Sequence, residues 1–411
     1  MEQKHVTKKV TATILSMSLL TVMAGAAIAP ALGIIKAHFS SAPALLIQLI
    51  VSIPALLIII TNLFFLPISR HLHTRAIATS GLILYVVAGA GCFFIDDIYL
   101  LLLLRALLGV SVGLIMPLST GLLAYYFPPE QQAHLMGLSA AMNQMGGVVA
   151  TLLAGMLATV EWNYAFIVYL LGLIALVMVW LWLPDEQLDS SNKRGIPFAP
   201  RQLLKFHPSV IGMLLLMTIF FIYPTNFAII SRLQTSLSSE MTTLIMVGLD
   251  VVAFFIGLAF GPLMRHFRLS IKYFAPLFLL LGYLVLSLPS LLPSCNTTAS
   301  VVTVIAGSLF IGIANGVGVP YLNTIASIKG GRNSATTVMP LLSAALYLGQ
   351  FISPLIVLPL SNLLFPESDI AAPYKVGTIF CLIFIFQVWL TRHFQSLPPQ
   401  DNHCTTDKKQ H

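Results

Sequence analysis

From Ile98 to Tyr126 the chain carries a single charged side chain, Arg105. An apolar run of that length crosses a bilayer as a helix, because hydrocarbon gives the backbone no hydrogen-bond partner but itself. Arg105 then lies about two helical turns inside, at 3.6 residues per turn. A guanidinium at that depth has to face protein or water rather than lipid. Arg105, Gly109, Gly113 and Pro117 recur at every fourth position and share one helical face. Glycines on such a face let a neighbouring helix approach closely. The same frame returns at Gly312, Gly316 and Pro320.

The whole chain repeats this character. It is 57% hydrophobic and 9% charged over 411 residues, which excludes a soluble domain. The runs are too long for barrel strands, which alternate over about ten residues. The expected fold is all-α: about twelve membrane spans, each roughly 18–28 residues. They fall at 10–35, 44–66, 76–95, 98–126, 135–158, 164–183, 208–230, 241–263, 273–289, 300–326, 337–360 and 374–391. Lys4, Lys8 and Lys9 precede the first run as they would in a signal peptide. But Val10 to Ile35 is span-length and no A-x-A-like site clearly ends it, so it reads as a retained first helix.

Charge sets the orientation. With the N-terminus inside, the outer segments hold only Lys36, Arg232 and Lys375, and Arg105 lies within a span. The rest of the 21 lysines and arginines fall in inner segments. The positive-inside rule therefore places both termini in the cytoplasm, and the expected location is the cell (inner) membrane. It also accounts for the net charge of +7 without nucleic acid. The one long polar interruption, 185–207, reads as a cytoplasmic linker between six-helix halves at 1–184 and 208–392. A polar cytoplasmic tail, 393–411, follows.

The halves share patterns in the same order. Pro67-Ile68-Ser69-Arg70-His71 after the second span matches Pro262-Leu263-Met264-Arg265-His266 after the eighth. The fourth and tenth spans share the spaced glycines and proline. The fifth and eleventh share Leu138-Ser139-Ala140-Ala141 and Leu342-Ser343-Ala344-Ala345. Duplication of this kind marks transporters that bind at the repeat interface.

With these features the sequence resembles the major facilitator superfamily over nearly its whole length. Within it the chain is most similar to the twelve-span drug/proton antiporters. The family's fourth-helix motif, an Arg followed by spaced glycines, matches Arg105, Gly109 and Gly113 and implies a part for Arg105 in proton coupling. The family's loop after span two carries an Asp where this chain has Arg70, and the Gly-Pro pair of its fifth helix is replaced by Ala150-Thr151. With that carboxylate missing, Arg70 and Arg265 are expected to close the inner side by bonding helix-end carbonyls. The resemblance also implies that spans one, four, seven and ten line a solute pathway.

Ionisable residues inside spans are costly and therefore informative. Of 14 acids, Asp250 alone falls inside one, roughly 12–14 Å from the outer end at 1.5 Å per residue. It can carry a proton, recognise a charged solute, or tie helices together. Arg105 can do likewise, or pair permanently with backbone carbonyls or with an acid at the outer mouth, Asp96 or Asp97. A proton-dependent contact between Arg105 and Asp250 is the sharpest expectation. Substrate contacts are expected from Asn143, Gln144, Tyr223, Asn226, Asn315, Tyr347 and Gln350, each equally fit for a hydrogen bond between helices. Span one has Ser16, Ser18 and Thr21 but no acid; many cation exporters of the family it resembles carry one there, so the resemblance implies a solute that is not strictly cationic.

No metal or cofactor is expected. Cys92, Cys295, Cys381 and Cys404 form no motif, and His403, Cys404 and His411 match no metal spacing. No HExxH, GxSxG or Walker A sequence supports an enzyme. The expected function is proton-coupled transport of a small organic solute by a monomer in the lipid bilayer, with efflux favoured. A metabolite or organic-anion symporter is the alternative, the latter using Arg105 as its ligand; a membrane enzyme and a channel are less favoured.

Overall fold

A computed structural model describes residues 8–127, 129–186, 200–234, 237–267, 270–291, 297–330, 334–366 and 369–391. Among these residues every regular element is helical, and twelve helical segments are long and apolar enough to cross a membrane. In order they are Lys8–His38, Ala44–Phe65, Thr74–Phe94, Ile98–Ser119, Leu138–Leu157, Trp162–Trp182, His207–Leu233, Ser239–Leu258, Ile271–Pro289, Val301–Ala326, Leu341–Leu364 and Ala372–Leu390. They are numbered as spans one to twelve. An even number of crossings leaves both ends of the bundle on one face, the terminal face; the opposite face is the far face. Most of the 185–207 linker and the tail after 391 lie outside the described residues.

Several spans depart from straight helices. Span one stops as an α-helix at Ala26, winds as a 3-10 turn over Ala29–Ala31, and resumes over Leu32–His38. Pro30 sits in that turn, where its missing N–H breaks the ladder. Span seven breaks between Phe220 and Ile222, and Pro224 explains the break in the same way. Span six opens with ten residues of 3-10 winding, Trp162–Leu171.

The repeat seen in the sequence is a repeat of packing. Gly109 and Gly113 of span four lie against Pro54 and Thr61 of span two. Gly312 and Gly316 of span ten lie against the Leu249 and Ala253 carbonyls of span eight, where an added Cβ would stand 2.6 and 2.7 Å from those oxygens. Pro117 and Pro320 sit inside continuous helices a turn further on. A second equivalence was not apparent from the sequence. Tyr85 of span three donates its hydroxyl to the Leu20 carbonyl of span one at 3.2 Å, and Tyr283 of span nine donates to the Ile219 carbonyl of span seven at 2.6 Å.

The two sets of six spans meet along two long seams, span two against span eleven and span five against span eight. A third contact lies at the far face, where Ala29–His38 packs on Ile222–Gln234. There Gly33 lies so close to the Ala228 carbonyl that no side chain fits, and Arg232 donates to the Gly33 carbonyl at 3.3 Å. Among the described residues spans four and ten share no such seam.

Candidate translocation site

Arg105 is fully buried, and its surroundings follow from two helix defects. Pro54 has no N–H to offer the Ile50 carbonyl, and Arg105 Nε donates to that oxygen at 2.7 Å. The break after Ala26 leaves the Ala24 carbonyl in an unfinished last turn, and Arg105 Nη2 donates to it at 2.6 Å. The third contact runs from Nη1 to the Tyr169 hydroxyl at 2.5 Å, and Tyr169 itself donates to the Ala24 carbonyl at 3.0 Å. One guanidinium thus ties span four to spans one, two and six. Its planar fork suits three fixed oxygens better than an ammonium would.

This corrects the expected contact between Arg105 and Asp250. All of Arg105's partners lie in the first six spans, and among the described residues no carboxylate pairs with it. Asp96 and Asp97 are committed elsewhere. Asp96 bonds His38 at 2.6 Å, and Asp97 caps span four by accepting from the Leu100 amide at 2.8 Å. In the second half Ser308 takes the place that Arg105 holds in the spaced-glycine frame. It receives the Tyr223 hydroxyl at 2.8 Å and brings no charge.

Asp250 lies on the seam between spans five and eight. It is half-buried and accepts the Thr151 hydroxyl at 3.1 Å, a contact between the two halves. Among the described residues no cation pairs with it. Thr151 stands where the family's fifth-helix Gly-Pro pair was missed, so the departure supplies the acid's partner.

The other expected residues separate into three groups. Tyr223 and Asn226 are buried and committed: Tyr223 to Ser308, and Asn226 through Nδ2 to the Ile222 carbonyl at 2.9 Å and Thr225 Oγ1 at 3.0 Å. Asn143 accepts from Thr21 at 3.1 Å across spans one and five, and Tyr347 reaches Met116 Sδ at 3.1 Å across the halves. Gln144 and Asn315 are half-buried, and Gln350 is 7% exposed; none of the three bonds any described residue. The Gln350 amide lies against Gly25 of span one.

Closure by Arg265 is not formed. It is exposed on the short helix Phe260–Phe267 and bonds no carbonyl among the described residues; the side chain of Arg70 lies outside them. Arg75 instead donates through Nε and Nη2 to the Leu183 carbonyl at 3.0 and 2.7 Å, joining spans three and six within one half. Among the described residues no cluster could hold a metal ion, and the tail's His403, Cys404 and His411 lie outside them.

Sequence reasoning missed Gln48, a buried polar residue early in span two whose Nε2 donates to Asn226 Oδ1 at 2.7 Å across the halves. The available signal was a glutamine inside the apolar run Ala44–Val51.

Among solved structures the chain is similar to a bacterial homologue of the human lysosomal transporter Spinster in an inward-facing, occupied conformation. The TM-score is 0.71 at 15% identity, covering 95% of this chain and 96% of that one. It is also similar to the nucleoside transporter NupG, with TM-score 0.74, 10% identity and coverage of 95% and 100%. The xylose transporter XylE from E. coli gives 0.71, 14%, and 93% and 97%. These likenesses are of fold. In sequence it is 26% identical over 110 residues to the multidrug transporter protein MdtP of Bacillus subtilis, covering 26% of this chain and 20% of that protein. It is 31% identical over 87 residues to probable anion transporter 4, chloroplastic, of Arabidopsis thaliana, covering 21% and 16%. The matches thus span a fifth or less of the curated relatives' length. The family model for the Major Facilitator Superfamily matches residues 14–354, and the chain belongs to that family of transporters.

Proposed function

We propose that this chain is a proton-coupled secondary transporter that exports a small organic solute by alternating access. The observation that carries the reading is Asp250. It is an acid inside a span, set on the seam between halves, held by one hydroxyl and free of any cation among the described residues. A carboxyl so placed has few stable states in a membrane, and gaining or losing a proton changes the seam it sits on. The partnerless amides of Gln144, Asn315 and Gln350 supply hydrogen-bonding capacity for the solute.

Charge narrows the solute. Arg105 is spent on three oxygens, so it does not serve as the ligand of an anion. A neutral or positively charged solute fits the free carboxylate and amides. The export direction draws on the relative named as a multidrug transporter. Uptake by symport is the second reading, favoured by a structural neighbour named as a D-xylose-proton symporter. The reading places the protein in the cell (inner) membrane as a monomer with both termini cytoplasmic.

A melting-temperature screen of organic solutes selects a binder, because binding to the folded state raises the midpoint by mass action. That binder, in proteoliposomes under an imposed pH step, is expected to move against its own gradient. Movement that ignores the pH step rejects proton coupling.

A further inference from the structure

Gln48 of span two and Asn226 of span seven make a buried contact between the halves, and its amide orientations are determined by the surrounding bonds. Thr225 donates its hydroxyl to the Phe221 carbonyl at 2.6 Å, so its oxygen accepts from Asn226 Nδ2. Asn226 Nδ2 also donates to the Ile222 carbonyl. Asn226 therefore presents Oδ1 to Gln48, and Gln48 has to answer with Nε2. Gln48 Oε1 is left buried with no donor among the described residues. Gln48 is 3% exposed and Asn226 5%, so neither amide is at a wet surface.

Gln48 lies one turn inside the far end of span two, and Asn226 is on the Ile222–Gln234 helix that packs across the halves on Ala29–His38 at the far face. We propose that this pair is a half-satisfied latch. It fixes the register in which spans two and seven meet, and the stranded Oε1 keeps the closed far face easy to open. When the halves part, both amides gain water and the unpaired acceptor is relieved. A fully apolar seam would hold the closed state harder, because a half-satisfied polar pair is a poorer core than hydrocarbon of the same shape. The inference rests on reading this chain as an alternating-access transporter. It does not depend on proton coupling or on the solute.

The test uses the full-length chain with Cys295 and Cys404 replaced by serine, since Cys92 and Cys381 are buried. Spin labels go at Val160 and Leu363, both exposed at the far face and in opposite halves. Gln48→Met strands Asn226 Oδ1, and Asn226→Leu strands the whole Gln48 amide. Each single variant is expected to increase the long-distance, far-face-open population. The double variant Gln48→Met/Asn226→Leu is expected to reverse that shift and lower the open-to-closed ratio about tenfold below either single variant. Its transport turnover should fall while solute binding, read from melting shifts, stays unchanged. Single shifts that add in the double variant overturn the latch, since the bond would then simply stabilise the seam. Distances unmoved in all three variants also overturn it. The expected distance changes in a protein whose transport ignores an imposed pH step count against proton coupling and leave the latch standing.

Discussion

Thr151 of span five donates its hydroxyl to Asp250 of span eight at 3.1 Å, joining the two halves of the molecule through a carboxylate with no cation among the described residues. The geometry lets the observed hydrogen bond be separated from the proton role proposed for the same side chain. Asparagine at 250 keeps an oxygen for Thr151 but cannot release a proton. Asp250→Asn should therefore keep solute binding and lose pH-driven accumulation in proteoliposomes. Thr151→Val removes about 1.5–3 kcal/mol of hydrogen bond to a charged group and should weaken coupling without abolishing it. Wild-type accumulation by Asp250→Asn would make Asp250 a structural residue and move the proton site elsewhere.

Arg105 leads to a different expectation, because its contacts lie within one half. Its hydrogen bonds to the Ile50 and Ala24 carbonyls and to Tyr169 bridge four spans. Arg105→Ala strips these oxygens of a charged donor, a loss on the order of 1.5–3 kcal/mol for each bond. The expected outcome is a large drop in melting midpoint and in folded yield. Arg105→Lys should recover part of it, since an ammonium lacks the planar fork. Tyr169→Phe loses only one of these bonds and should cost less than Arg105→Ala, on the order of 1.5–3 kcal/mol. Thermal melts in detergent read all three. An Arg105→Ala protein that melts normally but fails to transport would return Arg105 to the proton pathway.

Much of this architecture is written in local sequence, and the site much less so. Span four was legible to its ends because Asp97 caps it and the apolar run is unbroken. The glycine frames announced close helix contacts, and Asp250 stood out as the one acid inside a span. Backbone carbonyls were open to Arg105 as partners from the start, but which ones, and the partner of Asp250, were not legible. Arg105 is satisfied mainly by backbone carbonyls, which every residue possesses, and only the helix defects at Pro54 and after Ala26 make those two oxygens available. Span one was read as a single helix, although Pro30 gave notice of its break. The roles of Thr151 and Gln48 come from contacts between segments far apart in the chain, which neither periodicity nor composition encodes.

The orientation drawn from charge has its own test. Glu161 lies at the far face between spans five and six, and Ser270 lies at the terminal face before span nine. In the chain lacking Cys295 and Cys404, a cysteine at Glu161 should react with a membrane-impermeant maleimide on intact cells. One at Ser270 should react only after the membrane is opened. The reverse pattern would invert the molecule and with it the direction assigned to transport.

Glycines within a half and between halves should respond in opposite ways. Gly109 touches Pro54 inside the first six spans, and Gly33 touches Ala228 across the halves. A methyl at Gly109 forces apart two helices packed against each other within one half. Gly109→Ala should cost about 1–3 kcal/mol, as overpacked cores do, and show as a lower melting midpoint. A side chain at Gly33 meets the Ala228 carbonyl only while the far face is closed. Gly33→Val can escape the clash by opening that face, so its melting midpoint should change little. Its spin-label distances between Val160 and Leu363 should lengthen, and transport should stop with the protein held open. Gly248 has nothing within 4 Å of an added Cβ, which makes Gly248→Ala the matched control, expected to change neither readout. If Gly33→Val instead melts early with far-face distances unchanged, the Gly33 contact is a permanent part of the core and the far face closes elsewhere.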